Sequence, residues 1–388
     1  GRYVGVPGMG DKKADNILKG IALLRGRGER MLLGNALPIA ETICDWLRDC
    51  GYAAQVSTAG SLRRMKETVG DTDILAASAD TAAVIQAFTS LPGRREVLAA
   101  GDTKGSIIIE SGEQVDLRAV REEEFGSALQ YFTGSKEHNV RLRELAKRQG
   151  LKVNEYGVFR GGTRVGGATE EEVYGALGMD WVPAEIREDR GEVEAALAHK
   201  LPVLLECGHI QGDIHVHSSW SDGSASIEEI ARAAKARGYR YVAITDHSRS
   251  LRVARGLSAD DLARQKEEVE GLNDRLSGIR VLSGIEVDIL ADGSLDFPDE
   301  LLAELDIVIA SIHSGFRQKP EQITKRIIAA MENLHVDVIA HPTGRLLHTR
   351  EPYGLDIDQI MERARETRTA LEINGAPDRL DLNDVHSR

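Results

Sequence analysis

The chain has 388 residues, of which 41% are hydrophobic and 29% are charged. This composition predicts a globular protein of two or three domains, and it excludes a membrane span, a disulfide framework and a thiolate zinc site, because the sequence has no long apolar run and its three cysteines form no CxxC pair. The net charge of −13 argues against nucleic-acid binding by the whole chain, yet residues 1–66 hold 11 Lys+Arg against 6 Asp+Glu, and the acid excess lies in residues 181–388 (25 against 37).

The N-terminal stretch VGVPGMGDKKADNIL contains a glycine-rich turn followed by two lysines. Backbone N–H groups around Gly5, Gly8 and Gly10 can reach a DNA phosphate, with Lys12 and Lys13 at the start of the next helix. The stretch resembles a helix-hairpin-helix clamp on the DNA backbone, and an ordinary loop between helices is the alternative. The opening residues resemble neither a signal peptide nor a translation start, so we expect a longer gene product.

The next segment predicts a mixed α/β domain, because helical patterns such as ALPIAETICDWLRDCGY alternate with short strands such as KGSIIIESGEQVDLRAV. In GDTDIL, Asp71 and Asp73 lie two apart on a predicted strand, so both carboxylates face one side of the sheet. They repel each other unless a cation lies between them, and Asp116 on the next strand could complete an oxygen cage for two Mg²⁺ ions. Gly60 and Ser61 form a turn before LRR that could hold phosphates. D-x-D alone is more often an exposed turn, but this combination suits two-metal phosphoryl transfer.

The motifs GSLRRMKETVGDTDIL, VDLRAV and YFTGSKEHN resemble, in order and spacing, those of the family X DNA polymerases, the polymerase-beta-like repair enzymes. The resemblance implies a nucleotidyltransferase palm in which Asp71, Asp73 and Asp116 bind Mg²⁺ or Mn²⁺, with Asp116 helping to deprotonate the primer 3′-hydroxyl. Gln114 in place of an arginine and Lys136 in place of an acid are departures that leave fidelity and nucleotide affinity open. The implied contacts to the deoxynucleoside triphosphate are Gly60, Ser61, Arg64 and Gly70 at the phosphates, Tyr131, Phe132 and Gly134 at the sugar, Asn139 at the base and Arg143 beside the templating base.

Residues 181–207 predict a linker with a helix inside it, because VPAEIREDRGEVEAALAHKLP is charged and contains Pro183 and Pro202 near its two ends. Downstream, apolar runs alternate with charged helical stretches such as SIEEIARAAKARG and TKRIIAAMENL. Continuous apolar strands are typical of a parallel sheet wrapped by helices, and polar residues at their C-terminal ends indicate a barrel-like fold with its site at that face. The runs are YRYVAITDH, IRVLSGIEVD, LDIVIASIH, VDVIAH and TALEIN.

Histidines and acids lie at the ends of these strands. In DIHVHSSWSDG, Asp213, His215 and His217 alternate with apolar residues, so the two imidazoles emerge on one face. A lone histidine is more often a hydrogen-bonded core residue, but five at strand ends favour a site for Zn²⁺, Mn²⁺ or Fe²⁺. The predicted ligands are His215, His217, Asp222, His247, Glu286, His313 and His341. The surplus acids of this half fit either such a site or a solvated acidic face.

These motifs resemble the PHP domain, the polymerase and histidinol phosphatase superfamily, over residues 208–388. The resemblance implies a distorted (β/α)₇ barrel with up to three Zn²⁺ or Mn²⁺ ions and a Mn²⁺-dependent 3′–5′ exonuclease with related 3′-end trimming. It also implies a final D-x-H ligand pair. Asp384 and His386 have that spacing but follow a sequence typical of a helix start, so we expect the pair beyond Arg388 and an incomplete domain. Arg249, Arg317, Arg345 and Arg350 either hold DNA phosphates or are ordinary surface residues.

Palm followed by PHP domain is the order typical of bacterial family X polymerases. We therefore expect a cytoplasmic, nucleoid-associated monomer without membrane contact that fills gaps in primer-template DNA during repair and trims 3′ ends. The alternatives are a metallophosphatase fused to a nucleotidyltransferase for another acceptor, and a non-catalytic DNA-end-binding scaffold. The expected α/β multidomain fold comprises a helix-hairpin-helix segment (1–28), a palm with a mixed sheet (29–125), a thumb-like nucleotide-selecting subdomain (126–180), the linker (181–207) and the PHP barrel (208–388).

Overall fold

The computed structural model describes residues 30–387 of the chain. They form two compact units with a boundary between Val203 and Leu204. The predicted helix-hairpin-helix segment lies outside the described residues, and so do its DNA-binding candidates Gly5, Gly8, Gly10, Lys12 and Lys13. None of the described helices is long and apolar enough to cross a bilayer.

The first unit begins with a two-stranded ribbon of β1 (Met31–Leu32) and β3 (Thr68–Val69) and a five-stranded sheet of β2 (Gln55–Thr58), β4 (Thr72–Ala77), β5 (Arg94–Ala100), β6 (Lys104–Ile109) and β7 (Gln114–Val120). The sheet order is β2-β4-β7-β6-β5. β4 runs parallel to β7, whereas the other neighbours are antiparallel. The predicted mixed sheet is confirmed.

Two longer helices, α1 (Leu33–Asp49) and α3 (Thr81–Phe88), pack on this sheet, and a short helix α2 (Gly60–Arg63) precedes β3. Helix α1 confirms the helical pattern predicted there, because its apolar residues recur at three- and four-residue spacing along one face. At the start of α3, Asp80 accepts a hydrogen bond from the Ala83 N–H and caps the helix. The residues of α1 that this spacing buries are Ala36, Ala40, Ile43, Cys44 and Leu47.

A second part of this unit has its own core. It contains α4 (Phe125–Thr133), α5 (Lys136–Arg148), β8 (Leu151–Asn154), β9 (Gly157–Arg160), β10 (Thr163–Gly166), α6 (Glu170–Ala176) and α7 (Glu192–Leu197). Val182, Val193 and Ala196 belong to that core, so the first part of the predicted linker packs within the unit. Its charged sequence is misleading because the side chain of Arg187 is fully buried against Glu170.

The second unit is a sheet of six parallel strands in sequential order, as the apolar runs predict. The strands are β11 (Gly212–Val216), β12 (Tyr241–Ile244), β13 (Arg280–Asp288), β14 (Ile307–Ser311), β15 (Val338–Ile339) and β16 (Ala370–Leu371). The helices that separate them are α8 (Ile227–Ala236), α9 (Ala259–Asn273), α10 (Asp299–Leu302), α11 (Pro320–Met331) and α12 (Ile357–Thr367). Helix α8 begins with a capping box in which Ser226 and Glu229 satisfy each other's backbone N–H groups.

The six strands curl towards a barrel. Along β12, Val242 and Ile244 pack with the helices, whereas Ala243 packs with apolar residues of β14 and β15. In a flat sheet the first and sixth strands would lie about 24 Å apart, at about 4.8 Å per strand. Instead His215 Nδ1 on β11 lies 2.6 Å from Oε1 of Glu372, directly after β16. The sheet therefore forms an incomplete barrel in residues 204–387, where six of the seven predicted strands are described.

Candidate active sites

The first candidate site is a cluster of three aspartates in the mixed sheet. Asp73 on β4 lies opposite Asp116 on β7 in the parallel register, and Asp71 directly precedes β4. Burial raises the pKa of Asp73 to about 7, and the charges of Asp71 and Asp116 act in the same direction. The predicted convergence of the three carboxylates is therefore observed, and their mutual repulsion fits a site that takes cations.

The pKa of Asp116 is shifted in the direction opposite to that of Asp73. Ser106 Oγ and Gln114 Nε2 donate to its Oδ1 at 2.5 and 2.9 Å, and Lys104 Nζ lies 3.0 Å from its Oδ2. Burial alone would raise the pKa of Asp116, but these contacts lower it below its usual value. Gln114, the departure noted in the sequence, thus still contacts the third aspartate. The contacts of Ser106 and Lys104 with Asp116 were not predicted from the sequence, although both residues lie on the strand that pairs with β7.

Glycine is required at position 60 by the approach of α2 to the aspartates. Its φ is +60°, and a Cβ there would lie 2.2 Å from Oδ2 of Asp73. The predicted phosphate-binding turn Gly60-Ser61 therefore lies directly against the carboxylate cluster. Gly70 is exposed at the other end of the same connection, one residue before Asp71.

The two arginines of this turn are paired with residues far along the chain. Arg64 Nε donates to Glu188 Oε1 at 2.9 Å, and Arg64 Nη1 donates to the Thr133 carbonyl oxygen. Arg63 forms two 2.8 Å hydrogen bonds to the Glu170 carboxylate, which also accepts from Arg187 and from Trp181 Nε1. Burial would raise the pKa of Glu170, but hydrogen bonds from Arg63 and Arg187 lower it to about 2. No local pattern in the sequence indicates the contacts of Arg63 with Glu170 and of Arg64 with Glu188, which lie 107 and 124 positions apart in the chain.

The remaining nucleotide candidates lie around α4 and α5. Tyr131 and Phe132 are half-buried with their rings edge to face at 5.1 Å, and the Arg118 guanidinium lies 4.5 Å from the centre of the Phe132 ring. Asn139 is fixed, because its Nδ2 donates to the Tyr131 carbonyl oxygen and its Oδ1 accepts from Gln130. Gly134 approaches Arg64, since a Cβ there would lie 3.1 Å from Nη1. Arg143 is exposed on α5.

The second candidate site surrounds Glu286, which is 1% exposed at the C-terminal half of β13. The structure brings all seven predicted ligands to one cavity of about 850 Å³. Nδ1 of His247 lies 2.8 Å and Nε2 of His341 lies 3.0 Å from the Glu286 carboxylate. Nitrogens of His215, His313 and His217 lie 3.4, 3.4 and 3.5 Å from it, and Asp222 lies 3.5 Å from His247 and 3.6 Å from His217.

Several of these atoms are buried close to one another but make no hydrogen bond of suitable geometry, which is costly unless a ligand satisfies them. Three groups of donors each converge within 4.8 Å: His215, His217 and Glu286; His217, Asp222 and His247; and His247, Glu286 and His313. A carboxylate shared by imidazoles, with no thiolate, fits Zn²⁺ or Mn²⁺. The residues therefore fit a multinuclear metal centre. The unsatisfied buried atoms are His215 Nε2, His217 Nδ1, His247 Nδ1, His341 Nδ1 and Glu286 Oε2.

The pKa values of several of these groups are shifted because five histidines surround one buried carboxylate. Burial would raise the pKa of Glu286, but its close contacts with His215, His247, His313 and His341 hold it well below its usual value. Burial disfavours protonation of His215 and His313, yet their carboxylate partners raise their pKa values to about 10 and about 9. For His217 burial prevails and lowers the pKa to about 4.

Two residues that position these ligands, Glu372 and Asp246, were not predicted from the sequence. Glu372 accepts from the His341 N–H at 2.6 Å and contacts His215 Nδ1, and it thereby fixes His341 at a φ of 28°, which non-glycine residues rarely adopt. Asp246, fully buried beside His247, accepts hydrogen bonds from Ser218, Ser221 and Gln265 and so fixes the turn that leads to Asp222. Both follow apolar strands, as the recognised ligands do, and that position was the available signal.

The other candidates in this unit do not join the cluster. Asp384 and His386 lie in a turn near the end of the described residues and are in none of the three donor groups. Among the four predicted arginines, Arg249 lies 5.6 Å from the centre of the Phe297 ring, Arg350 lies 4.3 Å from that of Phe316, and Arg317 is exposed. Arg345 donates to backbone carbonyl oxygens.

Known proteins resemble this chain in both of its units. Residues 128–188 match the DNA polymerase beta thumb family, and residues 213–376 match the PHP domain family. A probable phosphatase of Syntrophotalea carbinolica is 33% identical over 168 residues, which are 42% of this chain and 65% of that protein. A crystal structure of Leishmania infantum polymerase beta in a ternary gap complex covers 47% of this chain and 77% of its own, with 21% identity and a TM-score of 0.40.

Fold and sites thus define a two-unit enzyme with a polymerase-beta-like part and a PHP domain. The DNA polymerase/3′-5′ exonuclease PolX of Bacillus subtilis is 46% identical over 386 residues, which are 98% of this chain and 67% of that protein. The chain therefore belongs to the PolX family of family X DNA polymerases.

Proposed function

We propose that the first unit is a DNA-directed DNA polymerase that fills short gaps during repair. The observation that carries this proposal is the register of β4 and β7, which sets Asp73 opposite Asp116 and beside Asp71. In the reaction the primer 3′-oxygen bonds to the α-phosphorus of a deoxynucleoside triphosphate. The bond from that phosphorus to the β-phosphate oxygen breaks, and pyrophosphate leaves.

Asp71, Asp73 and Asp116 would hold Mg²⁺ or Mn²⁺ ions, which supply charge neutralisation for the attacking and leaving oxygens. Asp116 is kept ionised by Ser106, Gln114 and Lys104, so a carboxylate oxygen of this residue is suited to accept the proton of the 3′-hydroxyl. Gly60, Ser61, Arg64 and Gly70 are proposed to hold the triphosphate, Tyr131, Phe132 and Gly134 the sugar, Asn139 the base, and Arg143 the region of the templating base.

We propose that the second unit is a 3′–5′ exonuclease that also trims damaged 3′ ends. Its support is the convergence of His215, His217 and other unsatisfied donors on Glu286. Up to three Zn²⁺ or Mn²⁺ ions would be held by the five histidines with Asp222 and Glu286, and they supply activation of water and charge neutralisation at phosphate. The water oxygen bonds to phosphorus, the bond to the 3′-oxygen breaks, and the proton lost by the water is gained by the departing 3′-oxygen.

A phosphatase acting on small phosphate esters is a second candidate for this unit alone. The specific observation in its favour is the 33% identity to a probable phosphatase over 168 residues. The cavity of about 850 Å³ accommodates either a mononucleotide or the end of a strand.

Several finer features complete the proposal. Residues 1–28, with Gly5, Gly8, Gly10, Lys12 and Lys13, would bind the DNA backbone. The second unit would be a (β/α)₇ barrel, and the helix-hairpin-helix segment (1–28), the palm (29–125) and the thumb-like subdomain (126–180) would have the limits given by the sequence patterns. We further propose a monomer that acts on gapped or primer-template DNA in the cytoplasm, associated with the nucleoid.

The test is denaturing-gel analysis of a 5′-labelled primer in a one-nucleotide-gapped duplex with Mn²⁺, with and without nucleotides. The wild-type chain is compared with Asp71→Ala/Asp73→Ala and with His341→Ala. We expect nucleotide-dependent lengthening that only the aspartate variant loses, and nucleotide-independent shortening that only the histidine variant loses. If the wild-type protein leaves the primer unchanged in every lane, both proposed activities are contradicted. If the primer is not shortened but small phosphate esters are hydrolysed, the result favours the phosphatase candidate.

A further inference from the structure

Arg379 contributes a guanidinium to the wall of the cavity that the histidine cluster lines. Its Nη1 atom is buried and has no hydrogen-bond partner in residues 30–387. A buried guanidinium donor without an acceptor is costly, because the group has lost its hydration. An anionic ligand in the cavity would remove this cost.

The backbone around Arg379 is held rigidly by its neighbours. Arg345 Nε donates to the Arg379 carbonyl oxygen at 2.9 Å and Nη2 of the same side chain donates to the Leu380 carbonyl oxygen. The Leu347 N–H donates to the Asp378 carbonyl oxygen at 2.7 Å. Asp381 accepts a hydrogen bond from the N–H of Thr343, and Thr343 follows the predicted ligand His341 by two residues. The side chain of Arg345 therefore holds the backbone of residues 379 and 380 in place, and its role beside Arg379 is structural.

Within residues 30–387, the carboxylates that line the same cavity do not pair with Arg379. Glu286 and Glu372 are contacted by His247 and His215 at 2.8 and 2.6 Å, and Arg379 Nη1 has no hydrogen bond to either carboxylate. An anionic ligand is therefore needed to supply the missing acceptor.

We propose that Arg379 binds the non-bridging oxygens of the phosphate that the histidine cluster cleaves. The inference rests on the proposed phosphoesterase function of the second unit. Guanidinium is suited to this role because its planar donors match two phosphate oxygens at once. Arg379 is a substrate-binding residue in this assignment, and it replaces the four arginines that the sequence pattern suggested.

The experiment compares the wild type with Arg379→Gln, Arg379→Lys and the control Arg275→Gln, all loaded with Mn²⁺. Arg275 is exposed in the connection between α9 and β13, so its substitution changes the net charge equally. Three quantities are measured: bound metal by elemental analysis, inorganic phosphate affinity by calorimetry, and kcat and KM for bis(p-nitrophenyl) phosphate.

We expect Arg379→Gln to bind inorganic phosphate about 10- to 100-fold more weakly, the range for losing charge-assisted hydrogen bonds. KM for the diester should rise accordingly, whereas metal content and the Arg275→Gln values stay as in the wild type. Arg379→Lys should be intermediate, because it keeps the charge and loses the planar fork.

Unchanged phosphate affinity and KM in Arg379→Gln would overturn the assignment while leaving the phosphoesterase intact. Loss of metal from Arg379→Gln would also overturn it, since the arginine would then support the metal ligands. Absence of Mn²⁺-dependent diester hydrolysis in the wild type is a different result, because it overturns the proposed function on which the assignment depends.

Discussion

At the scale of single residues, burial and hydrogen-bond partners decide the pKa values of acidic and basic groups in the two sites. Asp73 and Asp116 face each other across one strand pair, yet the pKa of the first is raised to about 7 and that of the second is lowered. The difference arises because Asp116 receives hydrogen bonds from Ser106 and Gln114. Spacing in the sequence identified both aspartates but gave no indication of this asymmetry.

Replacement of Asp73 by asparagine should stabilise the metal-free protein at alkaline pH while abolishing polymerisation. The folded state holds the Asp73 proton up to a pH of about 7, whereas the unfolded chain loses it near pH 4. Stability from this group is therefore present below pH 4 and is lost as the pH rises to about 7. Asparagine cannot ionise, so Asp73→Asn should gain about 2 to 4 kcal/mol over the wild type at pH 8 and nothing at pH 4.

Urea unfolding in EDTA at the two pH values measures this difference, with the exposed Asp102→Asn as the control. A less stable Asp73→Asn protein at pH 8 would contradict the expectation. Addition of Mg²⁺ should reduce the advantage, because the cation neutralises the same repulsion in the wild type.

At the scale of elements, helix and strand positions followed largely from periodicity, but contacts between elements did not. The apolar spacing of α1 and the strand runs of the second unit were sufficient to place them. In contrast, residues 181–207 resemble a linker because they are charged and contain Pro183 and Pro202, although Arg187 among them is buried beside Glu170. From the sequence, an exposed charged residue cannot be distinguished from one that is buried in an ion pair, because the partner of the buried residue can lie far away along the chain.

The link between α2 and α6 through Glu170 predicts a pH-dependent contribution to stability. The folded-state pKa of Glu170 is about 2, below its ordinary value of 4.5, so the contribution is present above pH 4.5 and is lost as the pH falls towards 2. Glu170→Gln should therefore be destabilised by about 3 kcal/mol at neutral pH, and the difference should shrink in acid.

Denaturant unfolding between pH 7 and pH 3 measures this dependence. The adjacent Glu171→Gln is the matched control, because Glu171 is exposed. Equal stability of Glu170→Gln and Glu171→Gln at pH 7 would show that the network does not support the fold.

At the scale of the whole molecule, the histidine cluster belongs entirely to the second unit, and so does Trp220. With Trp46→Phe and Trp181→Phe, fluorescence reports on Trp220 alone, which is partly buried and packs against two of the hydrophobic clusters of that unit. In the Asp71→Ala/Asp73→Ala background, Mn²⁺ at 100 times its Kd should raise the unfolding free energy seen by Trp220 by about 2.7 kcal/mol.

The control adds His341→Ala to the same background, which should remove most of this stabilisation. A Trp220 transition that does not move with Mn²⁺ in the protein with an intact cluster would contradict metal binding there.

The sequence by itself determined the chemistry of the chain. Spacing of two on a strand fixed which aspartates and histidines share a face, and apolar runs ending in ligands indicated a parallel sheet with its site at one edge. Tertiary structure decided what spacing cannot encode: the curl that brings Glu372 to His215, the asymmetry between Asp73 and Asp116, and the position of Arg379. These depend on residues distant in the chain, whose proximity arises only when the strands and their connecting loops are packed.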